Sequence, residues 1–349
     1  SDHVTRVVRE DPVRRGLLYA GTDFGVFISL NDGATWQAFQ QNLPKTPITD
    51  IKIFRGDLIL STMGRGFWIL DDITPLRQDS FNTSATNAVL FEPDTTIRYR
   101  YPMASTGAYP QYKRTSVTID YFLPMEVSEG IKLSILDADN DVIATVVSDS
   151  TQLKTTVTEV ENMDLSTVFR FVDEKLSTDK GFNRFEWNLR HKGVWDKEEK
   201  NSYQYGPLAL PGKYTARLTV NGKTLEQPFE IVADPRVTEQ GVTQEVLQEQ
   251  FEFQNKVIDL LSEAKKFQAD LEQQIEIKTE TNASTETLEN TLKKLKNEEG
   301  AYPQQMLISQ IGYLYYMVSS ADQRPGGEAE KRYESLVSQL EALKQNVDL

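Results

Sequence analysis

Ser29-Leu30-Asn31-Asp32-Gly33-Ala34-Thr35-Trp36 is the stretch on which the reading of this chain turns. Phe27 and Ile28 before it, and Trp36 and Phe39 after it, are residue types that favour strands. Asn31-Asp32-Gly33 is turn chemistry: Asn and Asp bond back to nearby amides, and Gly accepts a positive φ without steric cost. The eight residues are expected to form a β-hairpin tip. Ser29 and Thr35 are placed to bond across it, and Trp36 is expected to fold back as a buried apolar plug.

The hairpin serves as a ruler for the residues around it. Val4 to Arg9, Leu17 to Ala20 and Gly25 to Ser29 read as three strands, and the hairpin leads into a fourth through Trp36 to Phe39. The pattern then restarts with Ile48 to Phe54, Leu58 to Thr62 and Gly66 to Leu70. Thr22-x-x-Gly25 and Thr62-x-x-x-Gly66 occupy equivalent places about 40 residues apart, a period that suits four-stranded propeller blades. The second set stops at three strands, because Asp71-Asp72-Ile73-Thr74-Pro75 leads into no fourth strand. The expectation is a portion of a larger propeller, with the remaining blades upstream or on a second chain.

Ser29, Asn31, Gly33, Thr35 and Trp36 match the Asp box, S-x-D-x-G-x-T-W, with Asn31 where the family usually has Asp and Asp32 at a free position. The chain thus resembles Asp-box β-propellers of the sialidase and sortilin kind, in which the box is a structural staple away from the channel. Thr62-Met63-Gly64-Arg65-Gly66-Phe67-Trp68-Ile69-Leu70-Asp71-Asp72 is similar to a T-H-G-R-x-F-W-[IV]-L-D-D signature near the last blade of large exported bacterial proteins of that class, which are often labelled glycosyl hydrolase-like. Met63 replaces the frequent His of that signature. The resemblance implies export, to periplasm, cell surface or medium. Arg65, on its glycine-flanked loop, is the candidate ligand contact, because a fixed guanidinium suits a carboxylate. The alternative pairs Arg65 with Asp71 or Asp72.

Composition excludes several classes. The 349 residues are 39% hydrophobic and 26% charged, within the range of ordinary globular proteins. A net charge of −14 argues against nucleic acid or an anionic membrane surface as partner. No apolar run approaches the ~18 residues of a membrane span. The chain has no Cys, so thiol catalysis and zinc–thiolate sites are excluded, and with only His3 and His191 a His-rich metal site is excluded as well. The chain opens at Ser1 without a leader and is expected to be a processed chain or a piece of a longer one.

Residues 76–88 are polar and rich in Ser, Thr and Asn, and read as a connector. Residues 98–114 add a Tyr-rich loop, with packing expected and sugar stacking the alternative. Alternation returns with Ser116 to Phe122, Ile131 to Leu136 and Val142 to Val147. The acids of Asp137-Ala138-Asp139-Asn140-Asp141 are spaced like the start of a calcium loop. Val142 and Ser148 stand where such a loop needs Gly and Glu, so a hairpin tip is the better reading. Gly181 to Leu189 and Leu210 to Leu218 carry spacings that resemble the Ig-like sandwich of flagellar hook-capping proteins. Asn221-Gly222 marks a type I′ hairpin. His191 and the acids Asp196, Glu198 and Glu199 fall in a Lys/Glu-rich loop, where solvation keeps carboxylates ordinary.

Beyond Asp234-Pro235-Arg236 the composition shifts to Gln, Glu, Lys and Leu. Thr243 is a candidate N-cap for a long amphipathic helix striped by Val246, Phe253, Val257, Leu260, Leu261, Ala264, Phe267, Leu271 and Ile275. Three further stripes follow, through Leu288 to Leu295, Met306 to Val318 and Tyr333 to Val347. The expected architecture is multidomain β plus α. It comprises terminal propeller blades over 1–75, a linker and docking loop over 76–114, an Ig-like β-sandwich over 115–236 and a helical hairpin or bundle over 237–349. The expected function is a non-catalytic scaffold or binding body for protein or glycan, with no metal and no cofactor. The alternatives are a glycoside hydrolase with its carboxylates in other blades, and a sortilin-like peptide-binding propeller.

Overall fold

A computed structural model describes residues 3–81, 85–100, 115–128, 130–148, 176–198, 205–298, 300 and 303–347. It is a mixed α/β structure with several sheets and a C-terminal helical region, and it divides into two compact units, Ser1–Glu92 and Pro93–Leu349.

In the first unit β1 (Thr5–Glu10), β2 (Leu18–Thr22), β3 (Gly25–Ser29) and β4 (Gln37–Ala38) form a four-stranded antiparallel meander. A three-stranded meander follows, of β5 (Ile48–Phe54), β6 (Asp57–Thr62) and β7 (Phe67–Leu70). The sheets meet through β1, β2 and β5, where Val7, Ile48 and Ile51 are buried. Gly21 permits that approach: a Cβ there would lie 2.7 Å from Ile48 Cγ2 and 2.8 Å from Val7 Cγ1. Gly21→Ala is therefore expected to lower the stability of this unit by about 1–3 kcal/mol through overpacking. A urea midpoint unchanged from wild type would show that the sheets part without cost.

Helix α1 (Thr74–Arg77) and strand β8 (Val89–Leu90) complete this unit. Residues 76–81, polar in composition, are nonetheless tied into its core. Leu76 and Phe81 are buried, the Phe81 ring lies 6.3 Å from that of Phe91, and Arg77 binds the buried Asp11. Residues 82–84 of the connector lie outside the described residues.

In the second unit β9 (Thr96–Arg98) runs parallel to the far end of a sheet ordered β12-β11-β14-β15-β9. Its other strands are β11 (Ile131–Leu136), β12 (Val142–Val147), β14 (Gly212–Val220) and β15 (Lys223–Ala233). Asn221 and Gly222 take φ of 48° and 74° in the β14–β15 turn, the paired positive values that a type I′ hairpin requires. β10 (Val117–Leu123) pairs with β13 (Gly181–Trp187), and Asp120 faces Arg184 in register with hydrogen bonds of 2.8 and 2.9 Å. Trp187 of that pair meets Tyr214 and Phe229 of the larger sheet at ring distances of 6.1 and 6.2 Å. Phe185 points inward with Trp187, while Phe182 stays exposed beside Phe122. The tyrosines of the 98–114 stretch beyond Arg100 lie outside the described residues.

The C-terminal region holds α2 (Pro235–Glu239), α3 (Gln244–Glu280), α4 (Glu286–Leu295), α5 (Leu307–Ser319) and α6 (Gly327–Gln345). Asp234 caps α2 through the Arg236 amide, and Thr243 caps α3 through the Val246 amide. α3 to α6 share one apolar core, from Phe253, Val257 and Leu271 to Leu288, Ile311, Leu336 and Leu340. The stripe of α3 begins at the buried Leu247, with Val246 only partly covered. Two polar residues lie on that stripe: Gln250 and Gln254 are buried, and both donate to the carbonyl of Val318 near the end of α5, at 2.8 and 2.9 Å. No helix among the described residues is long and apolar enough to cross a membrane.

Candidate functional site

Ser29, Asn31, Gly33 and Thr35 meet on one hairpin. Ser29 Oγ accepts from the Gly33 amide at 2.9 Å, and Asn31 Oδ1 accepts from the Thr35 amide at 2.9 Å. A carboxylate oxygen at position 31 could accept the same bond. The Asn31 side-chain amide adds a donor that Asp lacks, Nδ2 to Thr35 Oγ1 at 2.9 Å. Asp32 and Gly33 adopt φ of 56° and 82°, as the turn demands, and the Asp32 amide holds the Gly16 carbonyl at 2.9 Å. The hydroxyl and amide groups of Ser29, Asn31 and Thr35 are taken up within the hairpin. Trp36 does fold back over Gly33, whose added Cβ would lie 3.8 Å from Trp36 Nε1. It is 41% exposed, however, and so is not the buried plug expected from sequence.

Arg65 sits at the exposed tip of the β6–β7 loop. Its amide binds Thr62 Oγ1 at 3.1 Å, and its carbonyl accepts from Trp68 Nε1 at 3.2 Å. Arg65 thus shapes this loop through its backbone. Asp72 turns the chain into α1, with φ 55° and Oδ1 accepting from the Thr74 amide at 3.1 Å; Asp71 is exposed.

The loops that carry Gly25 and Gly66 share a hydrogen-bond pattern. Thr22 Oγ1 donates to the Gly25 carbonyl at 3.1 Å and accepts from the Phe24 amide at 3.2 Å. Thr62 Oγ1 donates to the Gly66 carbonyl at 2.7 Å and accepts from the Arg65 amide at 3.1 Å. The sheets differ on their outer sides. β7 is an edge strand, and Phe67 and Ile69 on it are 78% and 58% exposed, in register with Ser61 and Ile59.

Reading by sequence missed the buried charges. Asp11, fully buried, accepts from the amides of Val13 and Arg14 at 2.8 Å and from Arg77 Nη2 at 3.1 Å. Beside it Tyr19 is fully buried with no hydrogen-bond partner for its hydroxyl. Burial, with the Asp11 charge adding to it, raises the Tyr19 pKa. In the second unit Asp322 binds Arg98 Nη1 at 2.8 Å and Arg100 Nε at 2.7 Å. Arg98 Nε donates to the Ala209 carbonyl at 3.0 Å, and Arg190 Nη1 to that of Gly206 at 2.8 Å.

His191 packs edge-on against Phe251 of α3 with ring centroids 4.8 Å apart, and burial lowers its pKa to about 4 against an opposing pull from Asp137. Asp137 Oδ1 accepts from the amides of Asp139 and Asp141, at 3.0 and 2.9 Å. Among the described residues no group of acids and histidines has the arrangement to hold a metal ion. Asp196 is paired with Lys265 of α3 at 2.7 Å, and Glu199 lies outside the described residues. No family model, no curated protein and no solved structure matches this chain.

Proposed function

We propose that this chain is a non-catalytic body of an exported Asp-box propeller protein, a scaffold that presents binding surface to protein or glycan. The observation that carries the reading is the open β7 edge. Phe67 and Ile69 are strand residues of the kind that seek cover, and they stand on the last strand of a three-stranded sheet. The occupant that fits is a further sheet of the same repeat. Within the chain one such sheet already packs on the next through Val7, Gly21 and Ile48, and the Thr–Gly loop bonding recurs in both. The Asp box, with its polar groups bonded internally, acts in this reading as a staple of the first sheet. The sandwich and helices form the rigid remainder.

With β7 uncovered, the chain is expected to self-associate as concentration rises in sedimentation velocity, and the double variant F67K/I69K to remain monomeric. A monomeric wild type whose β7 amides exchange as slowly as those of β6 would overturn the open-edge reading. On fluorogenic glycosides the chain is expected to show no turnover. Hydrolysis abolished by substituting one of its own carboxylates would favour a glycoside hydrolase instead.

A further inference from the structure

Two arginines near the end of α5, Arg98 and Arg100, meet a single carboxylate among the described residues. Arg98 and Arg100 share one carboxylate, that of Asp322, and all three side chains are largely buried. Arg100 directs Nε to Asp322 Oδ1 and Nη1 to the Ser319 carbonyl. Its Nη2 is buried without a hydrogen-bond partner. The negative end of the α5 dipole contributes about half a charge toward the balance. A guanidinium does not escape by losing its proton. A buried donor on it with no acceptor is therefore a standing cost, removed by an acceptor that brings negative charge.

We propose that this place is an anion site: a small oxyanion accepts from Arg100 Nη2 and is held by the combined field of Arg98 and Arg100. Carboxylates and tetrahedral oxyanions share the needed chemistry, an acceptor oxygen bearing charge. Bound there, the anion would tie β9 to the end of α5, because Arg98 lies on β9 and Ser319 closes α5.

The test is thermal unfolding of the whole chain in sodium chloride, acetate, phosphate and sulfate at equal ionic strength, which removes the general screening effect. At least one oxyanion is expected to raise the midpoint above its chloride value. The shift is expected to vanish in Arg100→Lys, which keeps the charge and lacks the Nη2 donors. Phosphate or sulfate acting alone marks a tetrahedral anion, and acetate acting alone a carboxylate. Equal midpoints in all four salts, or the same shift in R100K, would overturn the proposal. Should R100K not fold, the arginine Nε–H signals of wild type can be followed by NMR during a titration with the oxyanion that gave the shift. Those of Arg98 and Arg100 are expected to move, and binding that moves neither counts against the site.

Discussion

Asp322→Ala is expected to destabilise the second unit by about 3–5 kcal/mol, the usual penalty for stripping one partner from a buried ion pair. The side chains of Arg98 and Asp322 are each 4% exposed, so removing the carboxylate leaves Arg98 charged, out of water and, among the described residues, with the Ala209 carbonyl as its acceptor. Burial already works against the charged form of Arg98, and Asp322 is the largest influence opposing it. Arg100 loses its Nε partner in the same step. Denaturant unfolding followed through Trp187 and Trp195, both in this unit, reads the effect. A loss below about 1 kcal/mol, the level of an exposed pair, would mean that solvent reaches the cluster. The double variant D322A/R98M is expected to lose less than the sum of the single losses, because the two side chains touch.

Acid is expected to weaken the same unit through His191. The folded-state pKa of about 4 lies below the ordinary value of 6.5, so the native protein refuses a proton that the unfolded chain accepts. The sign follows: this contribution is whole above pH 6.5 and is lost as pH falls from 6.5 to about 4. The gap corresponds to about 3 kcal/mol. The cause is burial against Phe251, with Asp137 opposing it. Carboxylates also titrate toward the low end of this window, so the measurement is a difference. Wild type and His191→Phe are compared in urea from pH 7.5 to pH 4. Wild type is expected to lose stability relative to the variant across the window. Two parallel curves would remove His191 from the account.

The hairpins of both units were legible because their signals are local. Asn31-Asp32-Gly33 and Asn221-Gly222 each set a turn with their own side chains and positive φ, and a turn fixes the register of the strands that leave it. The helical stripes of α3 to α6 were legible for the same reason: a period of three and four residues puts apolar groups on one side whatever they meet. The exposure of Trp36 was not legible. A sequence shows that a tryptophan follows a turn, and whether another element covers it depends on packing. Leu76 and Phe81 were hidden in a polar stretch, where Arg77 between them binds Asp11, more than sixty residues away, and Phe81 meets Phe91.

Gln250 and Gln254 show the division most plainly. On the α3 stripe they read as interruptions, yet both are buried because the Val318 carbonyl on α5 needs donors. Arg98, Arg100 and Asp322 are each ordinary in the chain, and their meeting creates a charged centre that no spacing announces. The amino-acid sequence by itself determined turns, strand alternation and helix faces, since these are set by torsional preference and by residues within one or two turns of each other. Tertiary structure alone decided which polar groups are desolvated and what they face. Desolvation and Coulomb energy depend on distance in space, and distant segments of the chain acquire that only on folding.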